Sequence, residues 1–169
     1  WKKKCYGAVP YYILHIIKHF CLCGDSNMRK YTTLLLDADD TLLDFHKAEA
    51  MAIETVCENF GIKYNEEVRQ TYSEINAKLW RRLEKGEITR DVIKIRRFEE
   101  FAEITKSAAS PFDMAQCYIN ALSKGGYLIN GAKELCQELS KKYSLYIVTN
   151  GIATVQKSRL KLCGLLPYF

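Results

Sequence analysis

The chain reads as an α/β fold in which a parallel-sheet core is interrupted by an inserted bundle of helices. Two observations predict the core. Leu34, Leu35 and Leu36 form a short apolar run that ends on an acidic turn, and residues 145–148 form a second run that ends on Thr149-Asn150-Gly151. Short continuous apolar runs bounded by turn signals are how buried parallel strands are written. A third observation predicts the insert. Four stretches between the two runs carry apolar residues at helical spacing, and such helices bury their apolar faces on one another rather than pairing with a strand.

The elements follow in order. After the first strand, residues 44–60 read as a helix with Ala48, Ala52, Ile53, Val56 and Phe60 on one face, stopped by Gly61. Asn65 is the expected N-cap of a second helix, in which Val68, Tyr72, Ile75, Leu79 and Leu83 recur every three or four positions until Gly86. Thr89 is placed to cap a third, Arg90–Thr105, with Val92, Ile95, Phe98 and Ala102 inward. Ser110-Pro111-Phe112-Asp113 starts a fourth, with an N-cap Ser, Pro at the first helical position and an acid three residues on. That helix runs to about Ser123 and ends at Gly125-Gly126. Gly131 introduces a helix over residues 132–143 with Leu135, Cys136 and Leu139 on one face. The second strand follows, and then a helix over residues 154–162 closed by Gly164.

Bulk properties narrow the function. A hydrophobic fraction of 48% and a charged fraction of 27% are those of an ordinary globular chain. Residues 1–27 hold four Lys and one Asp and so carry +3 of the net +5; the remainder has no nucleic-acid signature. Lys2–Lys4 before an apolar stretch imitates a signal peptide, but His15, Lys18 and His19 interrupt the apolar part, which is too short to span a bilayer. The expectation is no nucleic-acid polymer and no membrane partner. Seven Cys without CxxC spacing predict reduced thiols in a cytoplasmic protein. His15 and His19 with Cys21 and Cys23 lack a second ligand group at zinc spacing.

The acidic turn carries the chemistry. Asp37 and Asp39 stand two positions apart at the carboxyl end of the first strand, where open α/β sheets bind ligands. Along an extended chain they point to the same side. Isolated, an Asp-x-Asp is an acidic turn; the apolar strand before it and Thr41-Leu42-Leu43 after it favour a site. Two close carboxylates need a cation or a shared proton. Thr149-Asn150-Gly151 is by itself an ordinary turn, yet strand, polar turn and helix make an anion-binding arrangement. Arg90, Lys94 and Arg97 recur along the third helix as a basic face; the sharper reading is that Arg97 helps receive an anionic or polar substrate. Tyr72 and Trp80 are candidates for stacking on a base, with core packing the simpler reading of Tyr72.

At Asp37-Ala38-Asp39-Asp40-Thr41-Leu42 the sequence resembles the first motif of the haloacid dehalogenase-like hydrolases, an apolar strand followed by Asp-x-Asp-x-[Thr/Val]. Many members carry Gly where Asp40 stands, and the Asp-Asp-Thr-Leu form looks like the pyrimidine 5′-nucleotidase branch. Thr149, after the second strand, matches the family's second motif. The resemblance implies a Rossmann-like core over residues 28–44 and 127–169 with a helical cap at 45–126. It also implies a Mg²⁺-dependent phosphatase acting through an aspartyl-phosphate, with a small-molecule phosphate ester as substrate. Asp37 is the expected nucleophile and Asp39 the general acid and base. The Asp37 carboxylate and the Asp39 backbone carbonyl are the expected metal ligands, and Thr149 and the N–H of Asn150 hold the phosphoryl oxygens. Asp39 argues against dehalogenation, because a departing halide needs no proton.

Two further expectations concern the ends. Met28 is read as the natural start, with residues 1–27 an upstream extension. The family's later Lys and acidic pair do not occur before Phe169, and Lys157 and Lys161 follow Thr149 too soon to replace that Lys. The chain is therefore read as the N-terminal part of an enzyme, its core truncated. Besides a nucleotide phosphatase, a sugar-phosphate phosphatase or phosphomutase, or a non-catalytic relative, would use this frame.

Overall fold

The computed structural model describes residues 31–169. The reading of residues 1–27 as an extension lies outside the described residues. The chain forms two compact units: one holds residues 31–44 and 126–169, the other Phe45–Gly125.

The first unit contains a two-stranded parallel sheet. Strand β1, Thr33–Leu36, pairs with β2, Ser144–Ile147, with Leu34 opposite Leu145 and Leu36 opposite Ile147. Alternation along each strand gives the two faces different surroundings. Leu36 and Leu145 are buried in a cluster with Leu42, Leu43, Ala132, Cys136, Leu160 and Leu165. Leu35 and its partner Tyr146 face the other way and are 68% and 57% exposed. The sequence reading of two buried strands therefore holds for one face only. A helix over Ala132–Ser140 (α5) precedes β2, and one over Ala153–Leu162 (α6) follows it; the labels α1–α4 belong to the second unit. A single 3₁₀ turn, Leu166–Tyr168, packs against both α5 and α6.

The second unit is four helices: α1 Phe45–Asn59, α2 Glu66–Glu84, α3 Arg90–Thr105 and α4 Pro111–Leu122. Its core is aromatic. Tyr72, Phe98, Phe101 and Tyr118 are wholly buried, with ring centroids 5.3–6.5 Å apart in tilted and edge-on pairs. Tyr72 is thus a core residue, its hydroxyl held well above the ordinary phenol range by burial. On α3 the inward residues are Ile93, Phe98, Phe101 and Ala102, while Val92 is 44% exposed. The expected inward Val92 is corrected by one position, because Phe98 and Phe101 fix the face.

Caps follow the sequence unevenly. Asn65 accepts from the Val68 N–H at 2.9 Å and Ser110 from the Asp113 N–H at 3.4 Å, whereas Thr89 makes no such bond. Gly125 and Gly126 serve close packing. A Cβ on Gly125 would lie 2.7 Å from Ala48 Cβ, and one on Gly126 would lie 2.9 Å from the Arg159 carbonyl.

Candidate functional site

The parallel register sets the site. With Leu36 opposite Ile147, residues 37–39 and 148–151 leave the sheet at the same end. The ladder continues one bond further, from the Val148 N–H to the Leu36 carbonyl at 2.9 Å. The chain after β1 then turns tightly. The Leu42 and Leu43 N–H groups both donate to the Ala38 carbonyl, and the Asp40 N–H donates to the Leu43 carbonyl. Asp40 sits at the head of this turn with φ +55°, a left-handed conformation that Gly adopts freely and Asp tolerates better than most residues. Burial still alternates past the strand, with Asp37 exposed, Ala38 buried and Asp39 partly exposed, and the two carboxylates have different partners.

Asp37 is exposed, and the Thr41 hydroxyl donates to its Oδ2 at 3.0 Å. Asp39 is partly exposed and is gripped from α6: Arg159 Nη1 donates to Oδ1 and Gln156 Nε2 to Oδ2, each at 2.5 Å. Gln156 and Arg159 are themselves buried. The same Gln156 nitrogen donates to Thr149 Oγ1 at 3.1 Å, and Arg159 Nη1 donates to Gln156 Oε1 at 2.9 Å. The Gly151 N–H also donates to Thr149 Oγ1, at 3.0 Å. Asp39 and Thr149, which lie 110 residues apart, thus share one amide. Asn150 is exposed in the turn.

Gln156 and Arg159 were not singled out by sequence. Their signal is a pair of polar residues at i and i+3 that share a buried helix face with Val155 and Leu160, whereas Lys157 and Lys161 are exposed. Arg97 also departs from expectation. It is buried inside the helical unit, donates to Asn76 Oδ1 at 3.4 Å, and places its guanidinium carbon 4.5 Å from the Tyr118 ring centroid. Asn76 donates in turn to Glu49, which Ser73 also engages, both at 2.7 Å. This guanidinium is committed to the interior of its own unit, so Arg97 is not carried forward as a substrate contact.

A hard divalent cation would find oxygen donors in the Asp37 carboxylate and the Asp39 backbone carbonyl, which suits Mg²⁺, an ion that binds through one or two carboxylates and retains waters. No group of three or more His, Cys, Asp or Glu suited to holding a metal occurs among the described residues. No helix among the described residues is long and apolar enough to cross a membrane.

The profile of the haloacid dehalogenase-like hydrolases matches residues 31–169, which include both strands, the acidic turn and Thr149. The chain belongs to this family. As a haloacid dehalogenase-like hydrolase it is 39% identical over 142 residues to a Bacillus subtilis protein named as the HAD-hydrolase YfnB, covering 84% of this chain and 60% of that one. It is 35% identical over 141 residues to the pyrimidine 5′-nucleotidase PynA of Streptococcus pneumoniae, covering 82% and 59%. The pyrimidine 5′-nucleotidase YjjG of Escherichia coli is 28% identical over 140 residues, covering 83% and 60%. The crystal structure of YfnB bound to magnesium superimposes with a TM-score of 0.78, covering 83% of this chain and 62% of that one. The L-2-haloacid dehalogenase of Xanthobacter autotrophicus shares the fold, with a TM-score of 0.52 at 21% identity over 82% of this chain and 54% of that one. The chain spans about three-fifths of the length of the curated relatives it matches.

Proposed function

We propose that this hydrolase cleaves phosphate monoesters, with pyrimidine nucleoside 5′-monophosphates as its substrates. The observation that carries the reading is the meeting of the two strand ends: Asp39 and Thr149 share the Gln156 amide, beside an exposed Asp37 at the end of β1. The substrate class rests on the likeness to PynA and YjjG.

Phosphate monoesters hydrolyse extremely slowly unaided, so the site must supply a nucleophile and a proton. An Asp37 oxygen attacks phosphorus, and the bond from phosphorus to the leaving alkoxide breaks. Asp39 gives that alkoxide its proton. Water then attacks the aspartyl-phosphate while Asp39 takes a proton back, and the bond to Asp37 breaks to release phosphate. Thr149 and the N–H groups of the turn hold the phosphoryl oxygens. Magnesium, held by the Asp37 carboxylate and the Asp39 carbonyl, would offset the repulsion between a dianionic phosphate and the carboxylates.

The test is phosphate release by the protein expressed from its complete gene, across pyrimidine and purine nucleoside monophosphates and sugar phosphates. Turnover of the pyrimidine esters, abolished in Asp37→Asn, is the expected result. Preference for sugar phosphates would reassign the substrate, and release from none of the esters would remove the activity.

A further inference from the structure

We infer that Gln156 is a positioning residue that aims the Thr149 hydroxyl at a phosphoryl oxygen, and that Gly151 is the residue that makes room for it. The inference deepens the phosphatase reading and rests on it. A threonine hydroxyl offers two acceptor positions and one proton. Both acceptor positions of Thr149 are filled, by the Gly151 N–H at 3.0 Å and by Gln156 Nε2 at 3.1 Å. The proton therefore has to be donated elsewhere, and Thr149 is only partly buried at the end of β2. A hydroxyl locked in this way is a preset donor for an anion.

The orientation of the Gln156 amide is fixed by its surroundings. One side meets an Asp39 oxygen and the other the Arg159 guanidinium, which only donates and so requires the amide oxygen. Nε2 must then face Asp39 and Oε1 must face Arg159, as they do at 2.5 Å and 2.9 Å. The two amide protons go one to Asp39 and one to Thr149. Were the amide reversed, Thr149 would have to donate its proton to Gln156 and would lose it for a ligand.

Gly151 meets the amide from the other side. A Cβ at this position would lie 2.6 Å from Gln156 Nε2 and 3.1 Å from its Cγ and Cδ. An exposed glutamine would swing away, but this one is buried and tied to three partners. The Gly in Thr149-Asn150-Gly151 is thus required by packing against Gln156. Asp39 gains from the same brace: α6 occupies one acceptor position on each of its oxygens, and a carboxylate has about four in all.

The experiment is a double-mutant cycle on the protein expressed from its complete gene, with inorganic phosphate as the probe in magnesium-containing buffer and binding read by calorimetry. Thr149→Val and Gln156→Leu should each weaken phosphate binding about tenfold, the effect of one hydrogen bond to a charged ligand. Together they should weaken it about as much as either alone, because both act through the same proton. Gly151→Ala, which displaces the amide without deleting it, should match Gln156→Leu and add nothing to Thr149→Val. Lys157→Ala, on the exposed side of α6, should bind as wild type. Multiplying losses in the double variant would make Gln156 a purely structural residue and overturn the inference. A Gln156→Leu protein with unchanged affinity, or wild-type protein that binds no phosphate, would overturn it as well. Coupled binding without turnover of any phosphate ester would defeat the phosphatase reading and leave the inference standing; turnover with uncoupled losses would do the reverse.

Discussion

Asp39 shows how much one carboxylate depends on its neighbours. Its oxygens are held by Arg159 and Gln156, two buried side chains from a helix more than a hundred residues later in the chain. Under the proposed mechanism Asp39→Asn removes the proton carrier, so kcat should fall by about 10²–10⁴ while substrate KM changes little. Steady-state kinetics on the two proteins checks this, and a near-normal kcat would contradict the role. Two cysteines provide a pH prediction at the same scale. Burial pushes the Cys57 and Cys136 thiols up from 9.0 to about 11; Glu54 and Glu58 add to the first and Cys163 to the second. The folded state thus keeps these protons longer than the unfolded chain does. Their contribution to stability is complete below about pH 9 and is lost as pH rises towards 11. Urea midpoints measured across that window should fall, and less steeply in a protein carrying Cys57→Ala and Cys136→Ala. The motif Asp37-Ala38-Asp39-Asp40-Thr41 was legible in the sequence because its spacing is local. The Gln156 and Arg159 partners were not, since only the fold brings α6 under Asp39.

At the scale of elements, the helices were read well where the signal was chemical and less well where it was periodic. Asn65 and Ser110 cap as their side chains predict, and α3 spans Arg90–Thr105 as read. The face of α3 was misread at Val92, because a stripe of mixed apolar residues leaves the phase open until Phe98 and Phe101 meet Tyr72. The end of α3 also had no signal, since Lys106 adopts the left-handed cap at φ +53° without a Gly. The caps make a paired prediction. Asn65→Ala should cost about 1 kcal/mol, because it removes an acceptor for the Val68 N–H. Thr89→Ala should cost less, because the Thr89 side chain makes no cap bond. Chemical denaturation of both variants checks this, and equal losses would contradict it.

At the scale of the whole molecule, the sheet has one finished face among the described residues. Leu36 and Leu145 are buried, while Leu35, Tyr146 and Val148 are 68%, 57% and 55% exposed. Reading each apolar run as fully buried assumed cover on both sides, which two described strands do not have. Exposed apolar patches favour association. The 169-residue chain alone should therefore self-associate at micromolar concentrations, and Leu35→Lys with Tyr146→Lys should reduce this; sedimentation velocity separates the outcomes. The fold class was legible because the strand ends, the insert and the helix spacing are all written locally. The pairing of the two strand ends is a matter of topology, and the catalytic proposal depends on it.

The most direct test of that proposal is an acid quench during turnover of a ³²P-labelled nucleoside monophosphate, followed by peptide mapping. Label should be held covalently on the peptide containing Asp37 and be absent from Asp37→Asn. Label on a different residue, or steady turnover with no labelled peptide, would contradict the proposal.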